Sequence, residues 1–537
     1  MVFPLSEAGA SRSDRDALAA YVQARAASSA GQSSEAAKAY AAALSLSPGN
    51  EVLAVRTFGE ALAAGNRVLA LKAARVIEST GQADPEVKLL LLAEALRTRD
   101  WKSANAHVAA IAGNELFSFM APAFRAWMAV STGKGDPIAI LEAGNSNELA
   151  AAYAAEQRPF LLLASGKRAE GAAALKELAD GNGLRDQRLR IGGAALLARK
   201  GDRQAALDLL AGNEPALVAA RRLIENGKPV PGEIGSAPAG IAEFLLRAAA
   251  DVQRQNVPIL ALRFTRLATF IAPGNSVAWL MVADLLTAEK KHEAALVAVS
   301  QVAPGDPFAG AASDARIRLL VAAGRQQAAL AEAEAAVKAG GGTAEWTRLG
   351  DLYGQLGRQQ DAATAYAQAL AAGDEGGSPA WILHLLRGGA LDQAGNWPEA
   401  KAALEAAYKL APNEALVLNY LGYAQLERRE NIDEAMRLIT EASRLQPDSP
   451  EITDSLGWAH YLQGNTAKAI ELLERAVEGA AGDPEINEHL GDAYYTAGRH
   501  YEARYAWKAA LLYAEEEDAV RLRTKIDAGL KPELASR

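Results

Sequence analysis

The 537-residue chain contains no cysteine. That excludes disulfides, thiolate metal sites and a lipid-accepting cysteine within this sequence. Positive charge is short as well. Lys and Arg number 56 against 65 Asp and Glu, a net charge of −9. A nucleic-acid partner would call for a basic stripe, and none is present. No run of about 18 apolar residues occurs, so no transmembrane helix is expected. Met1-Val2-Phe3-Pro4-Leu5-Ser6-Glu7 lacks the basic and apolar regions of a signal peptide. There is no Gly-rich phosphate loop, no Gly-x-Ser-x-Gly elbow and no His-Glu-x-x-His. Ser131-Thr132-Gly133-Lys134-Gly135 lacks the spacing of a nucleotide loop. His460, His489 and His500 fall at unlike repeat positions and point in different directions. No catalytic residue, cofactor or metal site is therefore expected. Aromatics are scarce, at 6%, yet half of the residues are apolar. Alanine makes up the difference, which points to helices in close contact.

What is present is a repeated pattern, clearest from Leu418 to Leu512. One copy reads Ser455-Leu456-Gly457-Trp458, then Ala469, Leu473 and Ala476. The next reads His489-Leu490-Gly491-Asp492, then Ala503, Trp507 and Ala510, with its glycine 34 residues further on. A copy upstream carries Leu421-Gly422, Ala435 and Ala442, with one extra residue before Ala435. The small residue marks where a second helix crosses the first, and Leu473 or Trp507 fills the space beside it. Trp346-Thr347-Arg348-Leu349-Gly350-Asp351 opens the fullest match, which continues to Ala362, Tyr366 and Ala369. Gly464 and Gly498 sit where first helices should end.

Period and small-residue placement resemble the tetratricopeptide repeat, a helix-turn-helix unit. That resemblance implies an all-α protein, an α-solenoid (right-handed superhelix) of about fourteen such units. Carried along the chain, the frame divides it as follows: 1–16 a flexible N-terminus; 17–226 a degenerate array, in which Pro159 should break or start a helix; 227–240 a Gly/Pro-rich linker, a hinge or an ordered loop; 241–513 an array with its best-matched repeats at 343–513; and 514–537 a capping helix and tail. Additive repeat stabilities predict that the better-matched units after Gly240 outlast those before it.

Numbering the small residue as position eight, positions five, nine and twelve share one face of a first helix. In this fold that face lines the concave groove. It carries Asn419 and Tyr423, then Asp454, Trp458 and Tyr461, then Glu488, Asp492 and Tyr495. Aromatics flanked by carboxylates suit a partly basic, partly apolar protein segment, so these eight residues are the expected partner-binding set. The alternative is that Trp458 and Tyr461 pack on the neighbouring repeat.

The runs Asn419-Tyr420-Leu421-Gly422-Tyr423, Asp454-Ser455-Leu456-Gly457-Trp458 and Glu488-His489-Leu490-Gly491-Asp492 are similar to those of long tetratricopeptide-repeat proteins of proteobacterial envelopes. The resemblance implies a periplasmic location or a substrate-presenting adaptor for an envelope protease, or a regulatory subunit of an assembly enzyme. The broader expectation is a non-catalytic scaffold that binds partner polypeptides in the groove. An enzyme hidden among the degenerate repeats of 127–240 is the alternative of another class.

Overall fold

The computed structural model describes residues 12–81, 84–144, 147–373, 378–531 and 534. Their regular secondary structure is helical, with no strand among the described residues. The segment expected to be a flexible N-terminus lies outside them up to residue 11, and a helix already runs from Arg12 to Ser29. The chain divides into two compact units, Met1–Ala329 and Leu330–Arg537.

In the first unit, helices pair in order from Arg12–Ser29 with Ser33–Leu46 to Leu184–Arg199 with Arg203–Leu209. Asn50, Asn66, Asp100 and Asn147 cap helix starts by accepting from backbone N–H groups, which satisfies donors that the first turn cannot pair. Pro159 does not break its helix. It lies buried inside Glu148–Ala164, so burial of the flanking Phe160, Leu161 and Leu162 outweighs one missing donor. Within 127–240, helix pairs continue as far as Leu209, and a single helix, Pro215–Glu225, follows them.

The frame then stops describing the packing. Helix Ala237–Arg254 and its partner Pro258–Ile271 lie against the first helices of the earlier pairs. The Ala237 N–H donates to Ser131 Oγ at 2.8 Å, and Gly240 abuts the Trp127 indole so closely that a Cβ would fall 1.9 Å from it. Tyr153 donates to Asp251 at 2.7 Å, Arg263 to Glu86 at 2.9 Å and Arg247 to the buried Glu156 at 2.7 Å. Phe119, Phe124, Tyr153 and Phe244 form one aromatic cluster across the seam. The Gly/Pro-rich segment leading in is itself packed. Val230 and Ile234 are buried, and Arg188 donates to Gly232 O and to Glu243. Its last residues, from Ala237, already belong to the helix.

In the second unit, five regular pairs run from Thr343–Gln355 with Gln359–Ala372 to Pro484–Thr496 with His500–Leu511. Their small residues sit where the repeat frame requires. A Cβ would lie 2.6 Å from Tyr366 at Gly350, 2.6 Å from Leu404 at Gly388, 2.9 Å from Leu473 at Gly457 and 2.4 Å from Trp507 at Gly491. The extra residue before Ala435 is absorbed in the turn, where Arg429 and Asn431 adopt left-handed φ of 53° and 47°. Gly491→Ala should cost about 1–3 kcal/mol by overpacking, and more than Gly457→Ala, because an indole yields less than a leucine end. Chemical denaturation of the two variants checks the order; equal stabilities would count against it. The unit closes with helix Glu516–Ala528.

Candidate functional site

The eight stripe residues do not form one open surface. Trp458 is 1% exposed. Its indole stacks between Tyr461, at 4.6 Å and 17°, and His489, at 4.1 Å and 12°. His489 in turn places Nδ1 3.0 Å from both oxygens of the buried Asp454. Tyr461 bonds Thr496 Oγ1 at 3.0 Å.

One repeat on, the closing helix lies over the stripe. Lys525, 0% exposed, donates to Glu488 at 2.6 Å and to both Asp492 oxygens at 2.8 Å. Arg521 makes a two-pronged contact with Glu488 at 2.9 and 2.8 Å. Asp492 also accepts from Trp507 Nε1 at 2.9 Å. Tyr495 rests against Trp507 and under Gly529. The expectation that Asp454, Trp458, Glu488 and Asp492 meet a partner is therefore corrected. All four are buried by the chain itself: His489 covers Asp454 and Trp458, and the segment read only as a generic cap supplies the cations of Glu488 and Asp492. Burial by itself would push the Glu488 carboxyl up, but Arg521 and Lys525 outweigh it and hold it below the usual range.

The same balance runs the other way at His489. Burial pushes the imidazole down, but Asp454 outweighs it and raises the pKa to about 9. The unfolded value is about 6.5. The charged pair therefore stabilises the fold fully below about pH 6.5 and loses that contribution as pH rises through about 9. Thermal melts of the second unit should fall between pH 7 and pH 10, and less so in His489→Gln. Wild-type melting that stays level over this range would contradict the pair.

Asn419 and Tyr423 are half-buried and lie beyond the reach of the closing helix's cations. They line a cavity of about 280 Å³ together with Asp392, Tyr420, Glu427, Glu451, Asp454, Asp483 and Glu485. Tyr423 donates to Glu485 at 2.9 Å. Asn419 Oδ1 is buried without a hydrogen-bond partner. Burial raises the Glu427 and Asp392 carboxyls above their usual range, with Arg428 only partly offsetting it at each. Burial, with Glu485 and Glu427 nearby, also pushes the Tyr423 phenol up. Tyr420 leads into a second cavity of about 560 Å³, walled by Leu385, Leu386, Ala390, Leu416 and Tyr366 and edged by Asp351, Gln355 and Gln393. The sequence does carry a signal for this cavity. Carried back to the repeats of Gly388 and Gly350, positions five, nine and twelve are Leu385, Gly389, Asp392 and Thr347, Asp351, Gly354. The glycines open the space: a Cβ at Gly389 would stand 3.0 Å from the Tyr420 hydroxyl.

Among the described residues no group of His, Asp or Glu could hold a metal ion, and no helix is long and apolar enough to cross a membrane.

A family model described as tetratricopeptide repeat matches residues 347–415, 385–450, 426–484 and 455–519. No curated protein matches the sequence. Among solved structures, the thermophilic tetratricopeptide-repeat protein TTC0263 of Thermus thermophilus is 22% identical, over 34% of this chain and 96% of its own, at a TM-score of 0.30. PilF of Pseudomonas aeruginosa is 20% identical, over 34% and 81%, at 0.29. The hetero-tetramer Cut9–Hcn1 of the APC/C is 14% identical, over 97% of both chains, at 0.39.

Proposed function

We propose that this chain, a tetratricopeptide-repeat protein, is a non-catalytic scaffold whose partner polypeptide lies along the first-helix stripe of the second unit, over the two cavities that meet at Tyr420. The observation that carries this reading is the pair of adjacent, partly apolar cavities on consecutive repeats, with Tyr420 in the lining of both. Binding grooves are concave and mostly apolar, with a few polar groups to orient the ligand. The stripe does not continue as open surface beyond Asp454, since the chain covers it there. A substrate-presenting adaptor for an envelope enzyme, the role implied by the resemblance, is one form of this scaffold and would use the same groove.

Tyr423→Ala combined with Glu427→Lys tests it. A desolvated aromatic anchor contributes about 2 kcal/mol or more, so capture of partner polypeptides from the native organism should fall roughly 30-fold or further. Circular dichroism should stay at the parent level, since Tyr423 and Glu427 line a cavity rather than the helix-pair core. Quantitative cross-linking and mass spectrometry of wild type and variant give the comparison. An unchanged set of partners at unchanged yield sinks the groove reading.

A further inference from the structure

We propose that the segment bound there is a basic amphipathic helix, seating a Lys or Arg in the cavity at Tyr423 and apolar side chains against Leu385, Leu416 and Tyr420. This rests on the scaffold reading above and adds the chemistry of the partner.

The chain shows what this stripe accepts. Its own closing helix lies on the stripe at the next repeats, with Arg521 and Lys525 one turn apart on Glu488 and Asp492. Leu522, between them, is fully buried. Glu488 and Asp492 hold positions five and nine. The cavity at Tyr423 is built on those same positions in the preceding repeats, through Asn419, Tyr423 and Asp454.

Charge points the same way. The cavity lining brings six carboxylates together: Asp392, Glu427, Glu451, Asp454, Asp483 and Glu485. Among the described residues, Arg428 meets Asp392 and Glu427, and His489 meets Asp454. Among those same residues, no cation faces Glu451, Asp483 or Glu485 within ion-pair distance. The raised Glu427 carboxyl, crowded by Glu485 and Asp392 as well as buried, reports the same surplus of negative charge. A cation of the partner relieves it, as Lys525 does two repeats on at Glu488 and Asp492. The neighbouring cavity supplies the apolar half, with Leu416 55% exposed at its edge.

The probe is a fluorescein-labelled, terminally blocked peptide with the sequence of residues 519–530, which holds Arg521, Arg523 and Lys525 against the single acid Asp527, added to the full chain and followed by anisotropy. Its twin carries the equivalents of Arg521→Glu and Lys525→Glu. The peptide should bind saturably, at one site, and weaken as salt rises. The twin should bind at least tenfold more weakly. Glu427→Lys with Glu485→Lys, both in the cavity lining, should weaken the parent peptide at least tenfold. Tyr420→Ala should weaken it severalfold with the charges intact. Equal binding of twin and parent overturns the proposal. So does parent-peptide binding that ignores the pocket substitutions, which would place the peptide on the closing helix's own seat. Should the peptide fail while partner capture is still lost in Tyr423→Ala with Glu427→Lys, the scaffold reading stands and the basic chemistry falls. Should both fail, both readings fall.

Discussion

Lys525→Ala should loosen the end of the second unit by about 3–5 kcal/mol, the usual cost of removing one member of a buried ion network. The ammonium is fully buried and meets two carboxylates, Glu488 and Asp492, that are themselves 4% and 0% exposed. Without it, Glu488 keeps Arg521. Asp492 keeps the neutral donor Trp507 but loses the cation that Lys525 supplied. The buried carboxylate thus loses the ammonium that offsets its desolvation. Hydrogen exchange over 484–528 should accelerate strongly, while helices of the first unit keep their protection. A change below about 1 kcal/mol, the range of an exposed pair, would show the network to be dispensable. The same logic governs Asp492→Lys, which would set two ammonium groups against each other. Any loss of partner binding in that variant would follow from local unfolding rather than from a lost contact.

Phe244→Ala should destabilise the first unit as a whole, by about 3–5 kcal/mol. The ring is fully buried at the centre of the aromatic cluster, 4.7 Å from Tyr153, 5.2 Å from Phe124 and 5.9 Å from Phe119. It stands on the tucked pair that bonds back to Glu86, Glu156 and Ser131. One buried cluster accordingly runs from Ala24 to Leu319, whereas the second unit is held by several smaller ones. An ideal array gains stability repeat by repeat. A tucked pair that touches many repeats instead couples them into one step. The degenerate first unit is thus expected to unfold cooperatively and to outlast the regular repeats, the reverse of the ranking read from match quality. Hydrogen exchange by mass spectrometry decides it. Uniform acceleration across the helices of residues 12–271 in Phe244→Ala supports the coupling, and acceleration confined to 237–271 contradicts it.

The regular pairs were legible in the sequence because their determinants are local to one repeat. Gly457 with Leu473 and Gly491 with Trp507 are small and large residues at fixed separation, and the structure joins them. The placement of Ala237–Ile271 was not legible. Ala261 and Ala268 satisfy the repeat frame whether a pair stacks on its neighbour or tucks inside, and only long-range partners such as Trp127 and Glu86 decide between them. The stripe was legible as a line but not in its exposure. Trp458 and Asp492 sit on the expected face, yet burial depends on what lies above, and Lys525 gave no periodic signal that it would reach back over Asp492. Asp392 and Gly389 lay within reach of the same five–nine–twelve rule, applied one repeat earlier.

The most direct test places a photo-cross-linking amino acid at Tyr420, at Tyr423 and, on the exposed side of a second helix, at Lys468, in the full chain within native extract. A partner in the groove gives discrete polypeptide adducts from positions 420 and 423 and none from 468. Adducts from 468, with none from 420 or 423, would contradict a groove-bound partner.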